Sequence, residues 1–196
     1  RDELSPKTDY SSSTYKFYNG GYTKYGSIDN KYRLDSEDDI ATQAWGDNWR
    51  MPTFEELKEL KEKCSFTKTE LNGVPVTKVV GPNGNFIYFP YPGNYTGKTL
   101  YYENSIGSYW SSDLESDSYA QDIDYISGMP SLNGDTRYDG QAVRPVYGNG
   151  ASTKCVVNLE SAGKLKEKLN NTNSGEILDL KISGYMDARD FDFINL

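Results

Sequence analysis

The tetrad Thr53-Phe54-Glu55-Glu56 limits what this chain can fold into more than any other stretch, because its residue types dictate where a helix begins. The Thr53 hydroxyl is placed to accept from the Glu56 N–H while the Glu56 carboxylate reaches back to the Thr53 N–H, a reciprocal capping box. Pro52 holds Met51 extended just before it. Phe54, Leu57, Leu60 and Cys64 then recur at spacings of three, three and four, with Glu and Lys between them. That pattern predicts an amphipathic helix from 54 to about 63 that packs by one stripe. Arg50 sits beside the apolar Trp49, so it needs a carboxylate or several carbonyl groups to hold it.

The remaining elements are read relative to that helix. Residues 1–34 are rich in Tyr, Ser, Asn and Gly without a sustained period, which predicts a long ordered loop turning at Asn19-Gly20-Gly21. Ser36 followed by Asp39 predicts a short helix near 37–45, with Ile40, Ala41 and Ala44 inward and Gly46 closing it. Val74, Val76, Val79 and Val80 before Gly81-Pro82-Asn83-Gly84, and Phe86-Ile87-Tyr88-Phe89 after it, predict a hairpin. Residues 90–107 carry Pro90, Pro92, Gly93, Gly97 and Gly107 and are expected to be loop. Short strands are expected at Tyr109–Ser112, Ser118–Ser127, a segment ending near Tyr138, and Gln141–Val146, with Pro145 confined to an edge or a strand end.

Residues 148–153 read as a linker. Beyond it, Lys154–Leu159 predicts a strand, Ala162–Leu169 a short helix and Leu178, Leu180 and Ile182 an alternating strand. This strand-helix-strand tail is too small to hold a core unaided, so Phe191 or Phe193, the first domain or another copy is expected to cover its inner face.

Composition excludes several functions. Net charge is -8 and the pI near 4.7, so there is no basic patch to neutralise nucleic acid or an anionic membrane. There is no histidine. Ser/His and Cys/His catalysis and His-ligated metal sites are therefore unavailable. Mean hydropathy is -0.76, yet Tyr 17, Phe 7 and Trp 3 supply large surfaces to bury, which predicts a folded, strand-rich protein with a polar exterior. Two cysteines, Cys64 and Cys155, are too few for a disulfide scaffold. One bond between them remains open as a tie between the two parts of the chain, although they do not read as a catalytic pair. No stretch is long and apolar enough to span a membrane, and none reads as a targeting segment.

The series Trp45-Gly46, Asn48–Thr53, Glu56-Leu57, Gly81–Asn85, Phe89-Pro90, Gly107, Tyr109–Ser112, Tyr119-Ala120 and Val143–Val146 resembles the Fibrobacter succinogenes major paralogous domain, a family common in surface proteins of gut Bacteroidetes. The resemblance covers about residues 6–147. It implies an α+β, C-type-lectin-like fold with two helices and a small twisted, mainly antiparallel sheet. It also implies an extracellular, cell-surface location. Members usually carry an earlier strand, with a Gly-Thr-x-Trp-Ala-like motif, that pairs with the closing strand; this chain begins beyond it, so either the sequence is cut from a longer one or another segment fills that edge. Glu160–Leu165 and Ile177–Gly184 resemble the opening cap of a leucine-rich-repeat region, which implies a piece of a longer adhesin-like protein.

Three functions follow as alternatives. The leading expectation is a non-catalytic extracellular module that binds a glycan or a protein. The second is an enzyme of the formylglycine-generating type, which needs two reactive thiols in one cleft. The third is a structural spacer of a surface assembly. For the first, the segment between Trp110 and Val143 is the expected ligand face, held at both ends by core motifs. Its candidates are Asp113, Glu115, Tyr119, Asp122, Asp124, Tyr125, Met129, Asn133, Asp135 and Tyr138, with Tyr125 and Tyr138 as aromatic anchors. No metal or cofactor is expected: the sugar-binding calcium motifs of lectins are absent, and the alternating Asp113, Glu115 and Asp117 read as a solvated loop.

Overall fold

The computed structural model describes residues 8–148, 154–169 and 179–194. The chain divides into two compact units, Arg1–Tyr147 and Gly148–Leu196. It is a mixed α/β protein with small, mostly antiparallel sheets and few helices. Among the described residues no helix is long and apolar enough to cross a membrane.

In the first unit, residues 8–34 run without extended strands, with a 3-10 turn at Ser12–Thr14 and isolated bridges. Helix α1 (Ile40–Trp45) is capped by Asp39, not Ser36: the Asp39 Oδ1 accepts from the N–H groups of Ala41 at 2.9 Å and Thr42 at 3.1 Å, and its Oδ2 from that of Met51 at 2.8 Å. The later start rotates the inward stripe. Thr42 is buried beside Ala41, and Ala44, expected inside, is exposed.

Strand β1 (Trp49–Arg50) leads into helix α2 (Phe54–Lys63), whose capping box forms with both reciprocal bonds. Arg50 closes on the same carboxylate, donating to the two Glu56 oxygens at 2.7 and 2.6 Å. Burial pushes Glu56 up, but the Arg50 guanidinium and the Thr53 N–H outweigh it and hold the carboxyl below its usual range. Glu56→Ala is expected to destabilise the unit by about 2–4 kcal/mol, since it removes a helix cap and opens a half-buried ion pair together. Urea denaturation checks this, and a loss below about 1 kcal/mol would mean that solvent replaces the carboxylate without cost.

Strands β2 (Ser65–Leu71), β3 (Val74–Val80) and β4 (Phe86–Pro90) form one antiparallel sheet. The β3–β4 hairpin was legible, whereas β2 was hidden by its polar residues. Residues 90–107 are not all loop, because β5 (Asn94–Thr96) and β6 (Thr99–Tyr101) pair as a short hairpin. The third sheet is β7 (Ile106–Leu114), β8 (Tyr119–Ile126) and β9 (Met129–Thr136). Ser127 and Gly128 join β8 to β9 with φ of 52° and 89°, as a tight primed hairpin turn requires. A Cβ on Gly128 would lie 2.7 Å from the Lys68 nitrogen, so the turn also needs glycine to pack on β2.

The expected closing strand at 141–146 is mostly absent. Ala142 makes one parallel bridge to β7, and only β10 (Val146–Tyr147) is a strand, paired with β1. Pro145 lacks the N–H a ladder needs. The core joins Leu57 of α2 to Val79, Phe89, Tyr91, Tyr109, Ile123 and Tyr125.

In the second unit, β11 (Lys154–Leu159) and β12 (Asp179–Gly184) are parallel, with α3 (Leu165–Leu169) between them in sequence and α4 (Ala188–Ile194) after them. The helix begins at Leu165 and not Ala162, because its cap comes from elsewhere. The buried Asp190 carboxylate accepts from the N–H groups of Gly163 at 2.6 Å, Leu165 at 2.9 Å and Asp187 at 3.0 Å. Val157, Leu159, Leu165 and Leu169 form the small core, with Ile182 and Met186 against it. Phe191, expected as a cover, is exposed. Leu178 and the side chains of Leu180 and Phe193 lie outside the described residues.

Candidate functional site

The β7–β8–β9 sheet has two chemically opposite faces. Tyr109, Ile123 and Tyr125 point to the core shared with α2, so their alternating neighbours Ser108, Trp110, Ala120, Asp122 and Asp124 point the other way. This divides the expected ligand residues. Tyr125 is 0% exposed, its ring 4.6 Å from that of Phe89, and it is a core residue rather than an anchor. Asp122 is also 0% exposed and is no surface contact. Asp113 is buried at the end of β7, where it accepts from Arg33 and from the Phe54 N–H at 2.7 Å. It holds the start of α2 to the 8–34 segment and also lines the cavity described below.

Glu115, Tyr119, Met129 and Asn133 are exposed, and Asp124, Asp135 and Tyr138 half-buried. Of these, Asp124, Asn133 and Asp135 share one face of the β8–β9 hairpin with Asp122. Asn133 donates to Asp124 at 3.1 Å across the hairpin. The Glu115 carboxylate lies over Gly134, where a Cβ would meet it at 2.3 Å.

Tyr138 does reach a concave site. A cavity of about 240 Å³ opens between the 8–34 segment, the end of β7 and residues 137–143. Tyr10, Tyr15, Phe17, Trp110 and Tyr138 supply aromatic wall, while Arg137, Asp139 and Gln141 supply polar groups. Tyr10 is fixed by reciprocal backbone bonds to Gly97 at 2.7 and 2.8 Å and by ring stacking on Tyr95 at 5.2 Å. Its ring lies against Gly140, where a Cβ would stand 2.6 Å from ring carbons. Behind the wall, Asp122 is raised to about 7, first by burial and then by the neighbouring Asp124 and Asp135 carboxylates, while the Gln141 amide opposes the rise. Burial also raises Asp124 and Asp139.

No family model, curated protein or solved structure matches this chain. Chemistry must therefore be read from the residues themselves. Among the described residues one group of carboxylates, Asp35, Glu37 and Asp38, lies close enough to hold a cation. Lys24 already occupies it, with its ammonium 3.1, 2.8 and 2.5 Å from the three. Burial raises Asp38, but Lys16, Lys24 and the Tyr25 hydroxyl bring it down to about 2. That group is a structural hub, since Tyr25 is wholly buried and donates to Asp38 at 2.5 Å.

Cys64 is a free, half-buried thiol, raised by burial and by Glu59. The Cys155 side chain lies outside the described residues. Sequence reasoning missed Trp110, Arg137, Asp139, Gln141 and the aromatic residues of the 8–34 segment as site residues. No local pattern marks them: the chain turns just after β9, with the Asp139 N–H donating to the Thr136 carbonyl at 2.9 Å, so strand alternation does not extend to Arg137, Asp139 and Gln141.

Proposed function

We propose that this chain is a non-catalytic ligand-binding module of an extracellular bacterial surface protein. In this reading the first unit is C-type-lectin-like and the second the opening cap of a leucine-rich-repeat region. The observation that carries it is the aromatic, polar-edged cavity of the first unit, whose walls come from three separate parts of the chain. Tyrosine and tryptophan beside adaptable polar groups are the composition of a recognition surface.

The raised, half-buried Cys64 thiol supports a non-catalytic reading, because a redox nucleophile needs a lowered pKa. The ligand is a glycan or a protein. Nucleic acid is disfavoured by the charge of -8. The test is binding of the full chain to arrayed glycans and to arrayed mucin and matrix proteins. Selective binding is expected, and Tyr138→Ala should reduce it about tenfold or more with an unchanged melting temperature. A chain that retains none of the arrayed ligands would end this reading in favour of a spacer.

A further inference from the structure

Which chemistry can enter the cavity is decided by how its polar lining is already engaged. The charged side chains of that lining are Asp38, Asp113, Arg137 and Asp139. Asp38 accepts from the ammonium groups of Lys16 at 2.8 Å and Lys24 at 2.5 Å, and from the Tyr25 hydroxyl. Asp113 is held by Arg33 and by the Phe54 N–H. The two terminal nitrogens of Arg137 donate to the carbonyl oxygens of Asp117 at 2.9 Å, Lys24 at 2.8 Å and Tyr25 at 3.3 Å, and its guanidinium carbon lies 5.5 and 4.5 Å from the ring centres of Tyr15 and Tyr22. Asp139 accepts from the hydroxyls of Thr136 and Thr96. Gln141 adds an amide that donates to Asp122 at 2.7 Å and to Asp135 at 2.8 Å.

What these groups have left over, such as Arg137 Nε and Gln141 Oε1, is buried beyond the reach of a guest. The open wall therefore falls chiefly to the rings of Tyr10, Tyr15, Phe17, Trp110 and Tyr138 and to the aliphatic side chains of Leu34, Ile40, Met51 and Val143. Such a wall sets limits on its guest. A charged or many-hydroxylated guest gives up its water and gains few partners in exchange. An aliphatic guest gains burial alone, whereas an aromatic one also gains edge and face contacts with the rings around it. Size narrows the choice further. The volume of about 240 Å³ exceeds the ~150 Å³ of an apolar cavity that takes benzene and falls below the ~300–1,000 Å³ of sites for drug-sized ligands.

We propose, resting on the binding-module reading above, that this cavity takes one uncharged aromatic ring system no larger than indole, either free or as the side chain of a phenylalanine, tyrosine or tryptophan in a protein. The two sources share one chemistry: a flat apolar ring that five aromatic side chains surround and no charge opposes. A glycan, which has no such ring, is then not what the cavity holds.

The test is titration of the full chain followed by NMR, with indole and p-cresol as free rings and N-acetylphenylalaninamide as the side-chain form. Benzoate and benzylamine are the charged controls, methyl glucoside the many-hydroxylated one and cyclohexanol the non-aromatic one. The ring protons of Trp110 and Tyr138 report occupancy. At least one of the three aromatic probes is expected to saturate with a Kd of about 1 mM, roughly tenfold tighter than every control. Tighter binding of the amide than of the free rings assigns the source to a protein, and the reverse order assigns it to a small molecule. Ala120→Leu puts extra carbons into the cavity and Tyr138→Ala removes part of its wall. Each should weaken the ring about tenfold or more, and either serves alone if the other does not fold.

No response of the folded wild-type chain to any aromatic probe at about ten times that Kd overturns the assignment. Equal or tighter binding of any control does so too, as does ring binding that both variants leave unchanged. Retention of arrayed glycans or proteins that survives both variants and is not displaced by the rings overturns the ring assignment and leaves the module reading standing on another surface. Rings that bind a chain retaining no arrayed ligand support the free-ring form and end the glycan-or-protein reading.

Discussion

Tyr125→Ala is expected to destabilise the first unit by about 3–5 kcal/mol, as truncation of a large, fully buried aromatic residue does. The ring touches Phe66, Phe89 and Tyr109 and belongs to the same cluster as Leu57 of α2, so its loss opens a cavity where helix and sheet meet. Tyr125→Phe should act in the opposite direction. The hydroxyl is buried without a hydrogen-bond partner among the described residues, and burial pushes its pKa upward, so it stays protonated. Deleting it removes a desolvation cost and should stabilise by about 1 kcal/mol. Urea denaturation of both variants reads the two signs, and a phenylalanine variant less stable than wild type would show that the hydroxyl has a partner after all.

Asp122→Asn is expected to stabilise the unit at neutral pH and to leave it nearly unchanged at pH 4. Asp122 is raised from 3.8 to about 7, so the folded state holds its proton more tightly than the unfolded state does. Stability from this group is therefore fully present below about pH 4 and is lost as pH rises through about 7. The rise from 3.8 to about 7 bounds the effect at roughly 4 kcal/mol, or about 8–16 °C in Tm for a unit of this size.

Asparagine keeps the acceptor for Gln141 without a charge. Asp38, held at about 2, and Glu56, held low by Arg50, act in a separate window: their stability is present above about pH 4 and is lost only in acid. Melting temperatures from pH 3 to 8 separate the limbs. If wild type and variant fall in parallel between pH 4 and 7, another group carries the neutral limb.

Helix α2 was legible because its signals are local: a capping box, a stripe of period near 3.6, and charges arranged for the helix ends. The hairpin of β3 and β4 was legible for the same reason. The site was less so. Tyr125 and Tyr138 look alike in sequence, yet one lies on the core side of β8 and the other past the end of β9, and only the register with β7 decides which face is wet. Asp113 reads as a loop acid, but Arg33 and the start of α2 meet it from far along the chain. The cavity itself has no local signature, since Tyr10, Trp110 and Gln141 meet only after the 8–34 segment is laid across the sheet.

That segment is attached in an unusual way. It has no ladder of its own; single bridges such as Tyr10 to Gly97 and Arg33 to Asp113 fasten it to the strands, and the Tyr25 and Lys24 contacts to Asp38 fasten it to the start of α1. Detaching a stretch held by point contacts costs far less than separating β7 from β8, so the aromatic wall can lift while the core stays shut. A guest that touches both the wall and residues 137–141 then acts as a clasp. Its apparent affinity includes the free energy of keeping the wall down, and any second contact that fastens residues 8–34 strengthens the guest without touching it.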